Sequence, residues 1–419
     1  MSRKMIGVFA VALCLFQESA FAESEKINSE TLRSLLETKN AKVQAAQKGK
    51  EAAEEKEGYL TRSFLPSLEM YVGQETFKPG RQDTVTEPAY GAELRVNLFN
   101  GGRDQLENRV RELGTEKKGF EVQRVLSEEL EKARTEYWHS LYYREKISLL
   151  QSTIEVNKQN LSSADRRIRS GVATESDRVE FEMQAIELAQ ELSESKMKQE
   201  SHLRNLKVLL GVAKLNVGSL SEKLDHEHEY EGELKHSMKD HEFLVKENEI
   251  LAEQNRLLAK KEKREWWPKL EAFAAYNQYN ERDKEFADAQ DRTESVVGLR
   301  VNLSASAGLE SRREGAALQK EAEGASAIAV FQKTEIEAHL ENEMAELSLM
   351  HSQIHDAEEN IKRAEKYYRL TQSEYGRGVK NSPDVLGASE KLFETRHKRL
   401  EIVRDFQLAK AHVLSKIGK

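Results

Sequence analysis

Apolar residues spaced at threes and fours mark out one long stretch of this chain. Leu126, Leu130, Ala133, Tyr137 and Leu141, then Ile147, Leu150, Ile154, Leu161, Ala164 and Ile168, fall on a single helical stripe. Glu, Lys, Arg and Gln cover the remaining surface. No proline lies between Ala89 and Trp267, so nothing forces a kink. The pattern predicts a helix over Arg103–Arg169, 67 residues and about 100 Å at the helical rise. Gly171 supplies a left-handed stop, and Thr174 or Ser176 can cap a returning helix that runs to Leu210. A helix of that length has no core of its own and needs neighbours.

Around this hairpin the period changes. Thr31–Tyr59 reads as one polar helix with a thin stripe at Leu32, Leu36, Val43 and Ala46. After Pro66, Leu68, Met70 and Val72 alternate with Glu69, Tyr71 and Gly73, the signature of a half-buried strand. A polar loop holding Pro79, Gly80 and Pro88 leads to a second alternation, Leu94, Val96 and Leu98 against Glu93, Arg95 and Asn97. Asn100-Gly101-Gly102 then breaks the strand. Beyond Gly211 the sequence is irregular and polar to about Lys235, and a helical stripe (Leu244, Leu251, Leu258) runs to Trp266-Trp267-Pro268. Leu270, Ala272, Ala274 and Tyr276 predict a third strand. A loop around Glu281–Thr293 precedes the fourth, Val297, Leu299, Val301 and Leu303. A second long helix carries Leu340, Met344, Leu347, Ile354, Ile361 and Tyr368, turns at Arg377-Gly378-Val379, and returns from Asn381-Ser382-Pro383 to Ile417.

One unit is therefore written twice. Pro66 corresponds to Pro268, Leu94–Leu98 to Leu299–Leu303, Gly171-Val172 to Gly378-Val379, and Gly211 to Gly418, with offsets that change only across loops and element junctions. The organisation expected is a signal peptide at 1–22, a first repeat at 23–211 (strands about 66–77 and 91–99, hairpin 103–210), an irregular segment at 212–235, and a second repeat at 236–419 (strands about 268–279 and 296–304, hairpin 307–417). The 35-residue return helix and the 31-residue helix before Trp266 together nearly match the long helix. They are expected to stack end to end beside it, with the irregular segment at their junction. The fold class is mainly α with a small β part. Four strands cannot close a barrel, and an open sheet edge is not viable in lipid, so self-association is expected.

Composition adds compartment and excludes several chemistries. Arg3 and Lys4, an apolar run from Met5 to Phe16, and Ala20-Phe21-Ala22 make a secretory signal peptide cleaved after Ala22. Twelve apolar residues fall short of the ~20 that a membrane span needs. The one cysteine, Cys14, lies within that segment, so the mature chain has no disulfide or thiolate chemistry. Net charge moves from −8 to −9 when the segment is removed, with no basic block suited to nucleic acid. One third of residues are charged and 7% are aromatic, which suits solvated helices packed along narrow seams. No nucleophile–base pair, phosphate loop or catalytic carboxylate pair is present, so no enzyme and no cofactor is expected. His226, His228, His236 and His241 cluster with acidic residues. A metal site is one reading, since His-x-His places two imidazoles on one side of an extended chain. A solvated junction loop is the other, favoured because no further ligands show recognisable spacing.

These residues resemble the TolC-like outer membrane efflux protein family over essentially the whole mature chain. The likeness rests on the duplicated strand pair plus hairpin, Leu65-Pro66-Ser67-Leu68, Leu98-Phe99-Asn100-Gly101-Gly102, and the turn patterns Gly171…Asp177 and Gly378…Asp384-Val385-Leu386. Two departures are visible: the second glycine pair has become Ser304-Ala305-Ser306-Ala307-Gly308, and Asn40-Ala41 stands where the family often has Asn-Pro. The resemblance implies a homotrimer with a twelve-stranded barrel in the Gram-negative outer membrane and a periplasmic helical tunnel. It also implies hairpin tips that meet a periplasmic adaptor, and through it an inner membrane pump of RND, ABC or MFS type. The competing reading is a periplasmic adaptor or structural coiled-coil protein without a pore. An adaptor, however, has one hairpin between glycine-rich β domains, whereas this chain has two hairpins.

Specific residues follow. Strict alternation assigns Leu94, Val96, Leu98, Leu299, Val301 and Leu303 to the lipid, with Arg95 and Arg300 turned to the lumen. Arg169, Gly171, Val172, Arg377, Gly378 and Val379 form the exposed turns and are the expected adaptor-docking surface. Asp177 and Asp384, just after the turns, are helix-start residues, a charged entrance constriction, or both. Trp266 and Trp267 are interfacial anchors or packing at a helix–strand junction.

Overall fold

The structure, a computed structural model, describes residues 26–77, 85–226, 242–279, 292–303 and 307–419. The signal peptide, Cys14, His228, His236 and His241 lie outside them. Helices α1 (Thr31–Lys39), α2 (Ala41–Glu54) and α3 (Tyr59–Ser63) lead to strands β1 (Ser67–Phe77) and β2 (Val85–Asn100), then α4 (Arg103–Arg169) and α5 (Glu175–Leu210). After a 3-10 turn at Val217–Ser219 come α6 (Glu242–Lys263), β3 (Lys269–Tyr279), β4 (Arg292–Asn302), α7 (Ala307–Gly376) and α8 (Ser382–Lys416). The protein is mostly helical, with one antiparallel sheet ordered β1-β2-β3-β4.

Each long helix carries two shorter ones end to end along its side. The pairing differs from the one expected. The helix α5 ends against the start of α2: the Gly211 Cβ position is 2.7 Å from the Lys39 carbonyl oxygen, and Asn40 Nδ2 donates to the Leu209 carbonyl at 2.9 Å. The helix α6 continues beyond α8, where a Cβ at Gly418 would lie 3.2 Å from the Phe243 ring. The reason is the route of the irregular segment. Instead of turning back into the same column, it crosses the outside of α4, where Ile27 bridges to Leu220 and Arg144 donates to the carbonyls of Leu220 and Glu222. It reaches α8 where Gln407 Nε2 donates to the Asp225 carbonyl at 2.6 Å. Its described part, as far as His226, lies as a belt across the helices. Helix α6 lies between the long helices, with Lys261 paired to Glu107 of α4 at 2.8 Å and Asn248 bonded to Gln332 of α7 at 2.7 Å.

Two further expectations change. Thr31–Tyr59 is not one helix: Asn40 is extended and its side chain caps α2 by accepting from the Lys42 and Val43 amides, so the chain bends at a residue that favours caps over helix interiors. The loop before the second strand is shorter than expected, since β2 begins at Val85 and Pro88 pairs opposite Gln74. Proline's missing donor reads as a loop signal in sequence, but the partner strand holds the extended backbone there.

The core sits beneath the belt. Leu130, Tyr137 and Leu141 of α4, Leu206 and Leu210 of α5, Leu347 of α7, Val403 and Phe406 of α8, and Leu32 and Leu36 of α1 are fully buried and form one cluster. A buried carboxylate, Glu129, is held there by Lys42 at 2.9 Å and Lys132 at 2.8 Å. Towards the tips the packing thins to a seam, with Asn157 Nδ2 donating to the Phe181 carbonyl at 2.9 Å. Among the described residues no helix is long and apolar enough to cross a membrane.

Candidate membrane sheet and hairpin tips

The ladder registers sort the sheet into two chemically opposite faces. Leu68 pairs with Leu94, Leu94 with Ala274, and Ala274 with Val297. The next row on that face is Val96–Ala272–Leu299, and the one after brings Val301 opposite Leu270. Met70, Val72, Val297, Leu299 and Val301 are all exposed. The other face carries Glu69, Glu93, Arg95, Glu271 and Arg300 in the alternate rows. There Arg95 grips Glu93 through two bonds of 2.8 Å, and Arg300 lies 4.4 Å over the Phe273 ring. A two-stranded stagger of side chains has period two, so this segregation follows from the sequence alternation once the register is set.

One expected residue is displaced from the apolar rows. The register shifts between Asn97 and Phe99, so Leu98 falls at the irregularity and Phe99, not Leu98, pairs with Leu270. The sequence signal was the adjacent pair Leu98-Phe99, which breaks the alternation. Leu94, Leu98, Leu299, Val301 and Leu303 are exposed and Val96 is half-buried; Leu303 lies one residue past β4. The sheet joins α4 through Asp104, which accepts from Asn97 at 2.8 Å and Asn100 at 3.2 Å. Trp266 and Trp267 are exposed at the foot of β3, and Arg264 lies over the Trp267 ring at 5.2 Å.

At the other end, the two turns have the same construction. Gly171 and Gly378 take left-handed backbone, φ 75° and 78°. Their amides bond to Ile168 and Tyr375 carbonyls at 2.9 Å, while Val172 and Val379 bond back to Arg167 and Glu374. This is the Schellman closure that satisfies the last helical carbonyls. Val172 and Val379 are left exposed beside exposed Arg169 and Arg377. The next helices start with matching capping boxes: Asp177 accepts from the Thr174 amide at 2.8 Å and Asp384 from the Asn381 amide at 3.3 Å. Burial pushes the Asp177 carboxyl up, but hydrogen bonds from Thr174 and Ser382 outweigh it and hold the group below the ordinary carboxylate value. Asp384 is also 3.4 Å from Lys380. Both carboxylates are thus used as caps. The tips are joined by Arg167, whose guanidinium bonds to the Tyr375 carbonyl and lies 4.0 Å over its ring.

No family model and no curated protein sequence matches this chain. Solved structures do. The OprN outer-membrane channel superposes with a TM-score of 0.78 at 14% identity, over 93% of this chain and 89% of that one. The Campylobacter jejuni CmeC outer membrane channel gives 0.78 at 13%, over 93% and 85%. The Vibrio cholerae outer membrane protein VceC gives 0.75 at 12%, over 93% and 96%. The chain has the TolC-like fold. OprN and CmeC are outer membrane channels, and VceC is an outer membrane protein. The sheet adjoins the start of α4 and the turn its end, so sheet and tips lie at opposite ends of the long hairpin.

Of the four histidines singled out in the sequence, His226 lies within the described residues. His226 is not solvated: it is buried, and its ring lies 5.3 Å from His351 and 5.6 Å from His355 of α7. The pair at i and i+4 on one helix was legible in sequence; its partner across the belt was not.

Proposed function

We propose that this protein is the outer membrane channel-tunnel of a tripartite efflux or type I secretion system. It conducts substrates passively from an inner membrane pump through the periplasm and across the outer membrane. The observation that carries the reading is a sheet with one apolar, exposed face and one charged face, continued by two long hairpins. An apolar sheet face of this extent is unfavourable in water, and lipid is the environment that accepts it. Within the described residues the outer edges of β1 and β4 have no strand partner, and in a membrane every backbone group must be paired. Three copies would supply twelve strands and close those edges. The charged face, with Arg95 and Arg300, would then line water.

The same reading gives roles at the far end. The tips, through Gly171, Val172, Gly378 and Val379 with Arg169 and Arg377, dock a periplasmic adaptor. The partner pump is of the RND, ABC or MFS type. Asp177 and Asp384, alongside their capping duty, ring the periplasmic entrance in three copies. Fractionation tests the whole proposal. The protein should partition to the outer membrane as a heat-modifiable trimer. Recovery as a soluble periplasmic monomer, or in the inner membrane, would refute it in favour of an adaptor or a coiled-coil rod.

A further inference from the structure

The histidine cluster beneath the belt has the dimensions of a metal site. His351 and His355 are one helical turn apart on α7 and share a face. The belt brings His226 onto them, so that one ligand nitrogen from each of the three rings lies within 4.8 Å of the others. The ring centres are 4.9, 5.3 and 5.6 Å apart. For three imidazoles on one tetrahedral ion at a bond length of about 2.0–2.1 Å, ring centres are expected about 5 Å apart. The rings stand edge to face, at 64° to 85°, rather than stacked. By contrast, His139 and His202 elsewhere in the protein are stacked at 12°, an arrangement that cannot converge on one ion.

We propose that His226, His351 and His355 bind a divalent transition-metal ion of the zinc class, which fastens the belt to α7. Imidazole donors suit zinc, cobalt, nickel or copper and not calcium or magnesium. Two carboxylates flank the rings: Asp225 Oδ1 is 3.3 Å from His226 Nδ1, and Glu358 Oε2 is 3.9 Å from His355 Nδ1. Arg399 contacts both, at 3.4 and 2.8 Å, so one guanidinium offsets one of the two carboxylate charges beside the rings. Such carboxylates orient ligating imidazoles and raise their basicity. A carboxylate or water supplies the fourth position. Binding requires the neutral imidazoles, whose ring nitrogens are then free to ligate. The consequence is structural: an ion here ties the belt to the second long helix.

The test uses the full mature protein in detergent, stripped with chelator and titrated with Co²⁺ and then Zn²⁺. One Co²⁺ per chain with the intense visible absorption of a tetrahedral site, displaced by Zn²⁺, is expected. Zn²⁺ should also raise the thermal midpoint. His355→Gln, whose side chain is half exposed and so leaves the packing intact, should lower affinity by more than the ~10–100-fold that loss of an outer-shell partner costs. His351→Ala with His355→Gln should abolish the cobalt spectrum. No saturable binding to the wild type, or undiminished binding to the double variant with native helical circular dichroism, overturns the proposal. The second outcome would place the ion on other histidines.

Discussion

Val297 and Val296 are neighbours on β4 with opposite surroundings, and the same substitution at each separates lipid from lumen. Val297 is 84% exposed and completes the row Leu68–Leu94–Ala274. Ala274 is the middle residue of the eleven in β3. Eleven residues tilted by ~40° span roughly 28 Å of height, so in the proposed barrel this row would sit near the bilayer midplane. Arginine there costs about 2–4 kcal/mol per chain, roughly a 30- to 1000-fold loss in the assembled fraction, repeated in every subunit. Val296 pairs with Ala275 on the other face, in the row of Glu93 and Glu69, so an arginine there gains acidic neighbours and water. Trimer yield from outer membranes, read on unheated against heated gels, measures both variants. Val297→Arg should all but remove the trimer, and Val296→Arg should leave it near wild-type. Equal yields would refute the assignment of faces.

Further outcomes follow from the tips and the core. Gly171→Trp with Gly378→Trp should preserve trimer abundance, since a Cβ at either position meets nothing within 4 Å, at a local cost of about 1–2 kcal/mol per left-handed residue. Export and adaptor cross-linking should be lost, and their persistence would move docking to the helical wall. Asp177→Asn and Asp384→Asn, which keep a side-chain acceptor for the caps, should reduce cation selectivity in single-channel records; unchanged records in both would leave these residues as caps alone. His139 is held neutral down to about pH 4 by burial and by the nearby His202 and Arg404. Its stabilising effect is complete above the ordinary value of 6.5 and is lost as pH falls from there towards 4, because the unfolded chain takes up the proton first. The thermal midpoint should therefore fall less steeply in His139→Gln over that window, and identical slopes would exclude this histidine as the cause.

Where one element's own residues decide its shape, the sequence was sufficient. The 67-residue α4 is set by an uninterrupted stripe and glycines at each end. The turns at Gly171 and Gly378 are set by left-handed glycine and a capping residue three positions before an aspartate. The alternation in β2 and β4 carried its two faces directly. What escaped was set between distant residues. Asn40 reads as a tolerable helix interior until the end of α5 packs against it, making it a cap. The stacking of α6 on α8 rather than α5 depends on the path of the belt, which helix lengths alone cannot reveal. The contact of Arg167 with Tyr375 joins the two repeats, that of His226 with His351 joins the belt to the second repeat, and no local spacing announces either one.

Reconstitution of the purified protein into a planar lipid bilayer tests the channel most directly. Stepwise, long-lived conductance increments are predicted for the wild type, absent after heat dissociation of the trimer. They should also be altered when Arg95 and Arg300, on the charged face, are replaced by glutamate. A well-folded protein that inserts no steps, or steps indifferent to both charge reversals, would contradict a water-filled barrel lined by this sheet.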